Sequence, residues 1–391
     1  MGVAVVAAGQ TRFGDHPTSG VKELFGAAVD DLLADAGTAV DLDRIDAAFV
    51  GSLSCGQGMQ LGNFAPALLD DAGLPPVSAL HVENACASGG FAVQQAVQAV
   101  ASGQYRCVLA AGVEKMRDVS GDKGRYWLGI SGDTEYERLA GLTFAGVFAL
   151  IASRLLHDGA VTREDLARVS VKNHRHAALN PKAHLRRRLT VEDVLAAPVV
   201  AAPLGAFDCC PTSDGAACVL VTDSSIAAEF TDRPVEVAGW GSASDSLALH
   251  SRADFTRLDA ARRAADAAYA MAGVGPDGLD VVEVHDCFTV AELVAYAELG
   301  LSSIAEAGAR LRAGEFDLGG RLPVNTSGGL KAKGHPIGAT GVGQIAELFG
   351  QLRGDIAQPE RQVPGAEVGL AYNMGGSGAS AVVTILRRAA D

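Results

Sequence analysis

Two segments far apart in the chain share one pattern. CASGGFAVQQAV, beginning at Cys86, and HPIGATGVGQIA, beginning at His335, each follow a small-residue turn and open a helix. Their flanks repeat as well: VEVAG at Val235 restates the opening strand, and LDVVEV at Leu279, entering HDCF, parallels the run from Ile45 to Val50 that enters Gly51 to Gly56. A period well over a hundred residues marks a duplicated domain rather than a solenoid. Apolar strands alternating with helices indicate α/β layers. Duplication sets corresponding helix starts near a pseudo-twofold axis, so Cys86 and His335 are expected to face each other across one site.

In chain order, residues 3–8 read as a buried strand, Val21 to Ala36 as an amphipathic helix ending near Gly37, and Ile45 to Gly51 as a strand running into a Gly/Ser/Cys-rich loop. Phe64 to Ala72 reads as a helix, Val77 to Val82 as a strand feeding Cys86, Phe91 to Ala101 as the following helix and Cys107 to Gly112 as another strand. The long polar stretches from about Glu114 to Pro203 mark an insertion, and such excursions carry binding surfaces. Strand texture returns at Gly215 to Thr222. The expected division is residues 1–116 with 204–231 as a first half, 117–203 as an inserted loop domain and 232–391 as a second half.

A thiol at a helix N-terminus meets the positive end of the macrodipole and unpaired backbone N–H groups, which predicts a lowered pKa for Cys86. The small residues around it leave room for a substrate and for N–H groups to reach an oxyanion. The competing reading is a buried structural cysteine. Seven cysteines (Cys55, Cys86, Cys107, Cys209, Cys210, Cys218, Cys287) form no C-x-x-C pair, which points to a reducing compartment and away from disulfides or a zinc finger. Met1 to Ala8 lacks a basic leader and reads as a strand; with no export signal or anchor in view, the expected location is the cytoplasm.

A net charge of −14 argues against general nucleic-acid binding. One segment breaks that pattern: Lys172 to Arg188 holds six Lys/Arg, three His and no acid. It suits a small polyanion such as a nucleotide with several phosphates, or else a solvated helix face or subunit contact.

Three further loops carry reactive or unusually small residues: His285-Asp286-Cys287-Phe288, the stretch from Asn325 to Pro336 containing GGLKAKGHP, and Asn373 to Gly378. Together with ENACASGG around Cys86 they resemble the thiolase superfamily from end to end. The resemblance implies a thiolase fold, two duplicated α/β halves in a five-layered αβαβα core. It places the acyl-accepting cysteine at Cys86, the second signature at His335 and the third, glycine-rich loop at Asn373 to Gly378. Two departures define the branch. HDCF stands where ordinary thiolases have an Asn-Glu-Ala-Phe loop, and Asn373 stands where they have a cysteine. The HDCF loop supplies a replacement thiol at Cys287, as in the sterol-carrier-protein type thiolases and their archaeal acetoacetyl-CoA thiolase relatives.

The implied chemistry joins two acetyl-CoA molecules or cleaves acetoacetyl-CoA with CoA. Cys86 forms the acyl-enzyme, with His335 accepting its proton. Cys287 exchanges the α-proton, a thiol being tunable toward neutral pH. His335 and His285 donate to the enolate oxygen, and the N–H groups of Cys86 and Gly375 hold the thioester oxyanion. No metal ligand set has recognisable spacing, and the glycine runs do not fit a dinucleotide fingerprint, so CoA is substrate and no cofactor is expected. The Lys172 to Arg188 run becomes the expected site for CoA phosphates. The resemblance also implies a homodimer or homotetramer and, as partners, hydroxymethylglutaryl-CoA synthase and a small OB-fold, zinc-ribbon protein. The competing activity is that of thiolase-fold retro-aldolases or acyltransferases, which also pair with OB-fold proteins; fold alone does not separate them.

Overall fold

The first strand, β1 (Val3–Gln10), is buried along almost its whole length, the mark of a strand covered by helices on both faces. The structure, a computed structural model, describes residues 2–36, 40–54 and 62–389, the side chains of Ala36 and Arg125 excepted. Gly37 and the loop carrying Cys55 and Gly56 lie outside these residues. The other strands are β2 (Ala47–Gly51), β3 (Ser78–Val82), β4 (Cys107–Glu114), β5 (Val199–Ala201), β6 (Leu204–Gly205), β7 (Gly215–Asp223), β8 (Val235–Ser244), β9 (Val281–Glu283), β10 (Val368–Gly375) and β11 (Ser380–Arg388).

Nine of them form one sheet in the order β3-β2-β4-β7-β1-β8-β11-β10-β9, and β5 pairs with β6 in a ribbon. The two halves have the same plan. From the centre outward the first half runs β1, β7, β4, β2 with antiparallel, antiparallel and parallel pairings. The second runs β8, β11, β10, β9 with the same three senses. Even β3 has a counterpart, since Val324 bridges Val282 of β9 in parallel. The halves meet edge to edge through two residue pairs of β1 and β8, which makes the two sheet layers continuous along one shared edge.

Five layers result. The helix Val21–Ala36 packs on β1 and β7 over one core, around Leu24, Phe25 and Val50. The helix Asp259–Ala272 lies on β8 and β11 over another. Between the sheet halves run the helices Ser88–Ala101 and Ile337–Arg353, the second touching β4, β7 and β10 at once. They fill the central core with Val93, Val97, Val342, Ile345 and Leu348. Glycine lets them meet closely: a Cβ on Gly89 would stand 2.3 Å from the carbonyl oxygen of Gly338. Gly89 lies three residues past Cys86 and Gly338 three past His335, so the closest approach falls beside the two reactive ends. Among the described residues no helix is long and apolar enough to cross a membrane.

Candidate active site

β3 ends at Val82, and the chain must reverse within five residues to start the helix at Ser88. Ala85 adopts φ 50, a left-handed conformation costly for a residue with a Cβ. Ser88 fixes the turn: its Oγ accepts from Asn84 N at 2.9 Å and donates to Ala85 O at 2.6 Å. Cys86 is thereby lifted to the mouth of the helix, half-buried.

His285 and Cys287 follow β9. Asp286 between them holds the loop down, accepting from Leu330 N at 2.6 Å, Lys331 N at 3.1 Å and Asn173 Nδ2 at 2.6 Å. The Cys287 carbonyl accepts from Cys210 N at 3.0 Å. His335 arrives after Gly334, whose φ of +115 and close packing against Ser213 require glycine.

Cys86, His285 and His335 come together: the Cys86 Sγ and one nitrogen of each ring lie within 4.8 Å of one another. The imidazoles stand edge-on, centroids 5.1 Å apart at 88°. Hydrogen bonds set their protons. Thr340 Oγ1 donates its one hydrogen to Pro336 O at 2.9 Å, so at 2.7 Å it accepts from His335 Nδ1–H. His335 Nε2 then carries the lone pair, and it is buried without a partner. His285 is the reverse. Its Nδ1 accepts from Asn373 Nδ2 at 2.9 Å and from Met374 N at 3.3 Å, which leaves the proton on Nε2. The spacing is that of a metal-ligand set, but only the thiol and one imidazole present a free lone pair.

Cys86, Cys287 and His335 line a cavity of about 480 Å³ whose other walls are largely apolar, with Met116, Leu128, Phe144, Phe148, Val200, Phe288 and Ile337. Phe148 stacks on Phe288 at 4.6 Å. A second cleft of about 350 Å³, lined by Asp31, Asp35, Lys182 and Asp355, contains none of these reactive groups.

Burial reverses the expected acidity of the thiols. The Cys86 pKa is pushed up to about 12 by desolvation, which outweighs a hydrogen bond from the Gly376 backbone. Cys287 is raised well above its ordinary value by burial and by Cys210, Cys86 and Asp286. His335 is lowered to about 3 by burial, and His285 is lowered by burial and by His335. At rest all four groups are neutral.

The Gly376 backbone N–H reaches the Cys86 thiol, and Gly376, at φ +61, lines the cavity next to Gly375, the last residue of β10, which pairs with Ser380. The basic run is not one surface. Lys172 is buried and committed to Glu292 Oε1 at 3.0 Å, Asn173 Oδ1 at 2.7 Å and Val324 O at 2.8 Å. His176 is buried between Asn325 O and Leu318 N, and Lys182 pairs with Asp31 at 2.6 Å. Arg175 is exposed but paired with Asp317, and the exposed cluster is Arg186, Arg187 and Arg188, of which Arg187 reaches Asp193 at 3.9 Å.

Sequence reasoning missed Thr340, which sits in the first turn of the His335 helix like any helical threonine. It also missed Cys210, whose proximity to Cys86 and Cys287 arises from a separate loop.

What such a site can do is take an acyl group onto sulfur and stabilise the oxygen that turns negative, the chemistry of a cysteine-dependent acyltransferase on a duplicated α/β core. Residues 3–225 match the family model "Thiolase, N-terminal domain", and residues 241–388 match "Thiolase C-terminal domain-like". The chain is 42% identical over 386 residues to an acetyl-CoA acetyltransferase of Methanothermobacter thermautotrophicus, covering 99% of each. It is 32% identical to sterol carrier protein 2 of Rattus norvegicus, covering 98% of this chain and 72% of that one. A solved structure titled "Ltp2-ChsH2(DUF35) aldolase" superposes with a TM-score of 0.83 at 26% identity, covering 98% and 97%. The chain belongs to the thiolase family and is an acyltransferase of the thiolase type.

Proposed function

We propose that this protein is an acetoacetyl-CoA thiolase, an acetyl-CoA C-acetyltransferase working through an acetyl-Cys86 intermediate without a cofactor. The observation that carries the reading is the meeting of the Cys86 thiol, the His335 Nε2 lone pair and the His285 ring, with Cys86, Cys287 and His335 lining one largely apolar cavity. In thiolysis, Cys86 gives its proton to His335 as its sulfur bonds to the ketone carbon. The oxygen that becomes negative is held by the N–H groups of Cys86 and Gly375. The bond between C2 and C3 then breaks, its electron pair forming an enolate whose oxygen accepts from His285. Cys287 protonates C2, and acetyl-CoA leaves. A second CoA thiol gives its proton to the Cys287 thiolate and attacks the acetyl carbon, and the sulfur of Cys86 departs, taking its proton back from His335, as the second acetyl-CoA forms. A Cys287 thiol with a raised pKa suits the proton-giving role in this direction; synthesis needs the same thiol ionised.

The finer assignments follow from the same reading. Arg186, Arg187 and Arg188 are what remains of the basic run as a phosphate site. Among the described residues β3 has no strand on its outer edge, and Leu80 is 55% exposed there, which supports self-association into a dimer or tetramer. The aldolase neighbour, solved with a DUF35 protein by its title, favours as second reading a retro-aldol cleavage that needs a small acyl-CoA-binding partner of OB-fold type. Hydroxymethylglutaryl-CoA synthase would draw product away in the synthetic direction. The described cysteines are free, which suits a reducing cytoplasm.

The test is intact-mass measurement after exposure to acetoacetyl-CoA and CoA. Acetylated wild type, no adduct in Cys86→Ala, and acetyl-CoA release lost in Cys287→Ala support the thiolase. No adduct and no turnover move the reading to the aldolase, and repeating the reaction with an OB-fold partner separates a partner-dependent thiolase from it.

A further inference from the structure

Asn373 stands where the family resemblance leads one to expect a cysteine, and its amide is fully used. It is 2% exposed. Its Oδ1 accepts from Gly90 N at 3.1 Å, so the amide is oriented: a flip would set its NH₂ against a backbone donor. Its Nδ2 therefore faces the other way, donating to Cys86 O at 3.2 Å and to His285 Nδ1 at 2.9 Å. One side chain of the second half thus grips both ends of the nucleophile turn and the ring of the opposing histidine.

We propose that Asn373 is a positioning residue that locks His285 in its Nε2–H tautomer, making it a hydrogen-bond donor to the substrate and denying the site a third metal ligand. An acceptor in place of Nδ2 would draw the His285 proton to Nδ1 and leave a lone pair on Nε2. A donor of enolate stabilisation would become a base. The same change would complete a thiol and two-imidazole set, with a carboxylate holding the far nitrogen of one ligand, the arrangement that orients histidines on zinc. The backbone amide of Met374 adds a weaker contact to Nδ1 at 3.3 Å and persists in any variant at position 373.

Asn373→Asp replaces the donor with an acceptor while keeping a group that accepts from Gly90 N. Asn373→Leu removes both and leaves Met374 N as the only donor to Nδ1. The measurements are steady-state thiolysis of acetoacetyl-CoA, ¹⁵N resonances of labelled histidine rings, and Zn²⁺ binding by equilibrium dialysis. For Asn373→Asp the expected results are a kcat lower by about 10²- to 10³-fold, the loss typical of one oxyanion donor, with KM within about 3-fold. The His285 signals change from an Nε2–H to an Nδ1–H pattern, and Zn²⁺ binding tightens at least about 10-fold over wild type. Asn373→Leu keeps the Nε2–H pattern and gains no Zn²⁺ affinity. Unchanged ring signals and Zn²⁺ affinity in the Asp variant, or equal behaviour of both variants in all three assays, overturn the proposal. Only the kinetic arm rests on the thiolase reading; if acetoacetyl-CoA is not a substrate of wild type, the ring signals and Zn²⁺ affinity still decide the tautomer lock.

Discussion

Replacing Gly89 with alanine tests whether the two central helices are wedged as tightly as the site requires. In a helix interior, Gly to Ala ordinarily stabilises by up to about 1 kcal/mol. Here the added Cβ would lie 2.3 Å from Gly338 O and 3.2 Å from the backbone nitrogens of Gly341 and Val342. These are backbone atoms of a buried helix, with no flexible side chain to swing aside. Restoring ordinary contact opens the helix pair by about 1 Å, at a cost of about 1–3 kcal/mol for overpacking. The sign of the stability change therefore reverses. The opening falls between the helix that carries Cys86 and the helix that follows His335, and a misplacement of about 1 Å between reacting groups costs about 10²-fold in rate. The assay is single-turnover acetylation of Cys86, read beside thermal unfolding. Gly26→Ala is the control, since in the helix Val21–Ala36 its Cβ meets nothing within 4 Å. That variant should keep full rate and gain stability. A Gly89→Ala protein with wild-type acetylation and a raised Tm would refute the wedge.

Three other outcomes follow from the electrostatics. With its pKa at about 12, Cys86 should react with iodoacetamide more slowly than a free cysteine at pH 8, and its rate should still be climbing at pH 10; a midpoint near pH 6–7 would reveal a thiolate–imidazolium pair instead. His174, lowered to about 4 with burial as the main cause, and His176, His285 and His335, also lowered, are neutral when folded but protonate near pH 6.5 when unfolded, so their stabilisation is complete above that pH and lost as pH falls toward the folded values. His184, also lowered by burial, adds to them, while Asp286, raised to about 7 chiefly by burial, and Glu283 and Asp355, also raised by burial, work in the opposite sense, so denaturant unfolding should show a net loss from pH 7 to 5, five against three, and a net gain would contradict the histidine burial. Lys172→Met strands Glu292 in the core with Asn173, Asn325 and Tyr296 around it and should cost about 3–5 kcal/mol, part of which Glu292→Gln recovers in the double variant; an additive double variant would show that the two do not act as a pair.

Much of the frame was legible in the sequence because duplication leaves two copies of each signal. The strands around Ile45 and Leu279 and the helices after Cys86 and His335 could be matched to each other, and matched segments in a duplicated fold converge. The polar network behind the site was not legible. Lys172 lies on a helix whose arginines, Arg163, Arg168 and Arg175, all reach solvent at least in part, and its partner Glu292 comes from a helix over a hundred residues away; charge shows which residues need partners but not where the partners are.

The acidity of Cys86 shows the limit of reading a helix end by itself. The sequence places the thiol at a helix N-terminus, whose positive end favours a thiolate by typically about 0.3–1 kcal/mol. Taking the sulfur out of water opposes this more strongly, and the thiol stays protonated. The two helix ends still matter, but for a different charge. The helices Ser88–Ala101 and Ile337–Arg353 bring their N-termini together through the Gly89–Gly338 contact, so in the proposed mechanism two positive ends and the N–H groups of Cys86 and Gly375 act on the acyl oxygen. A field that is too weak to ionise a desolvated sulfur at rest remains fully available to an oxygen that becomes negative only during reaction. In the proposed mechanism His335, neutral with its lone pair free, removes the proton at that moment. The site is thus neutral before reaction and favourable to anionic oxygen during it, the difference between ground and transition state that raises kcat.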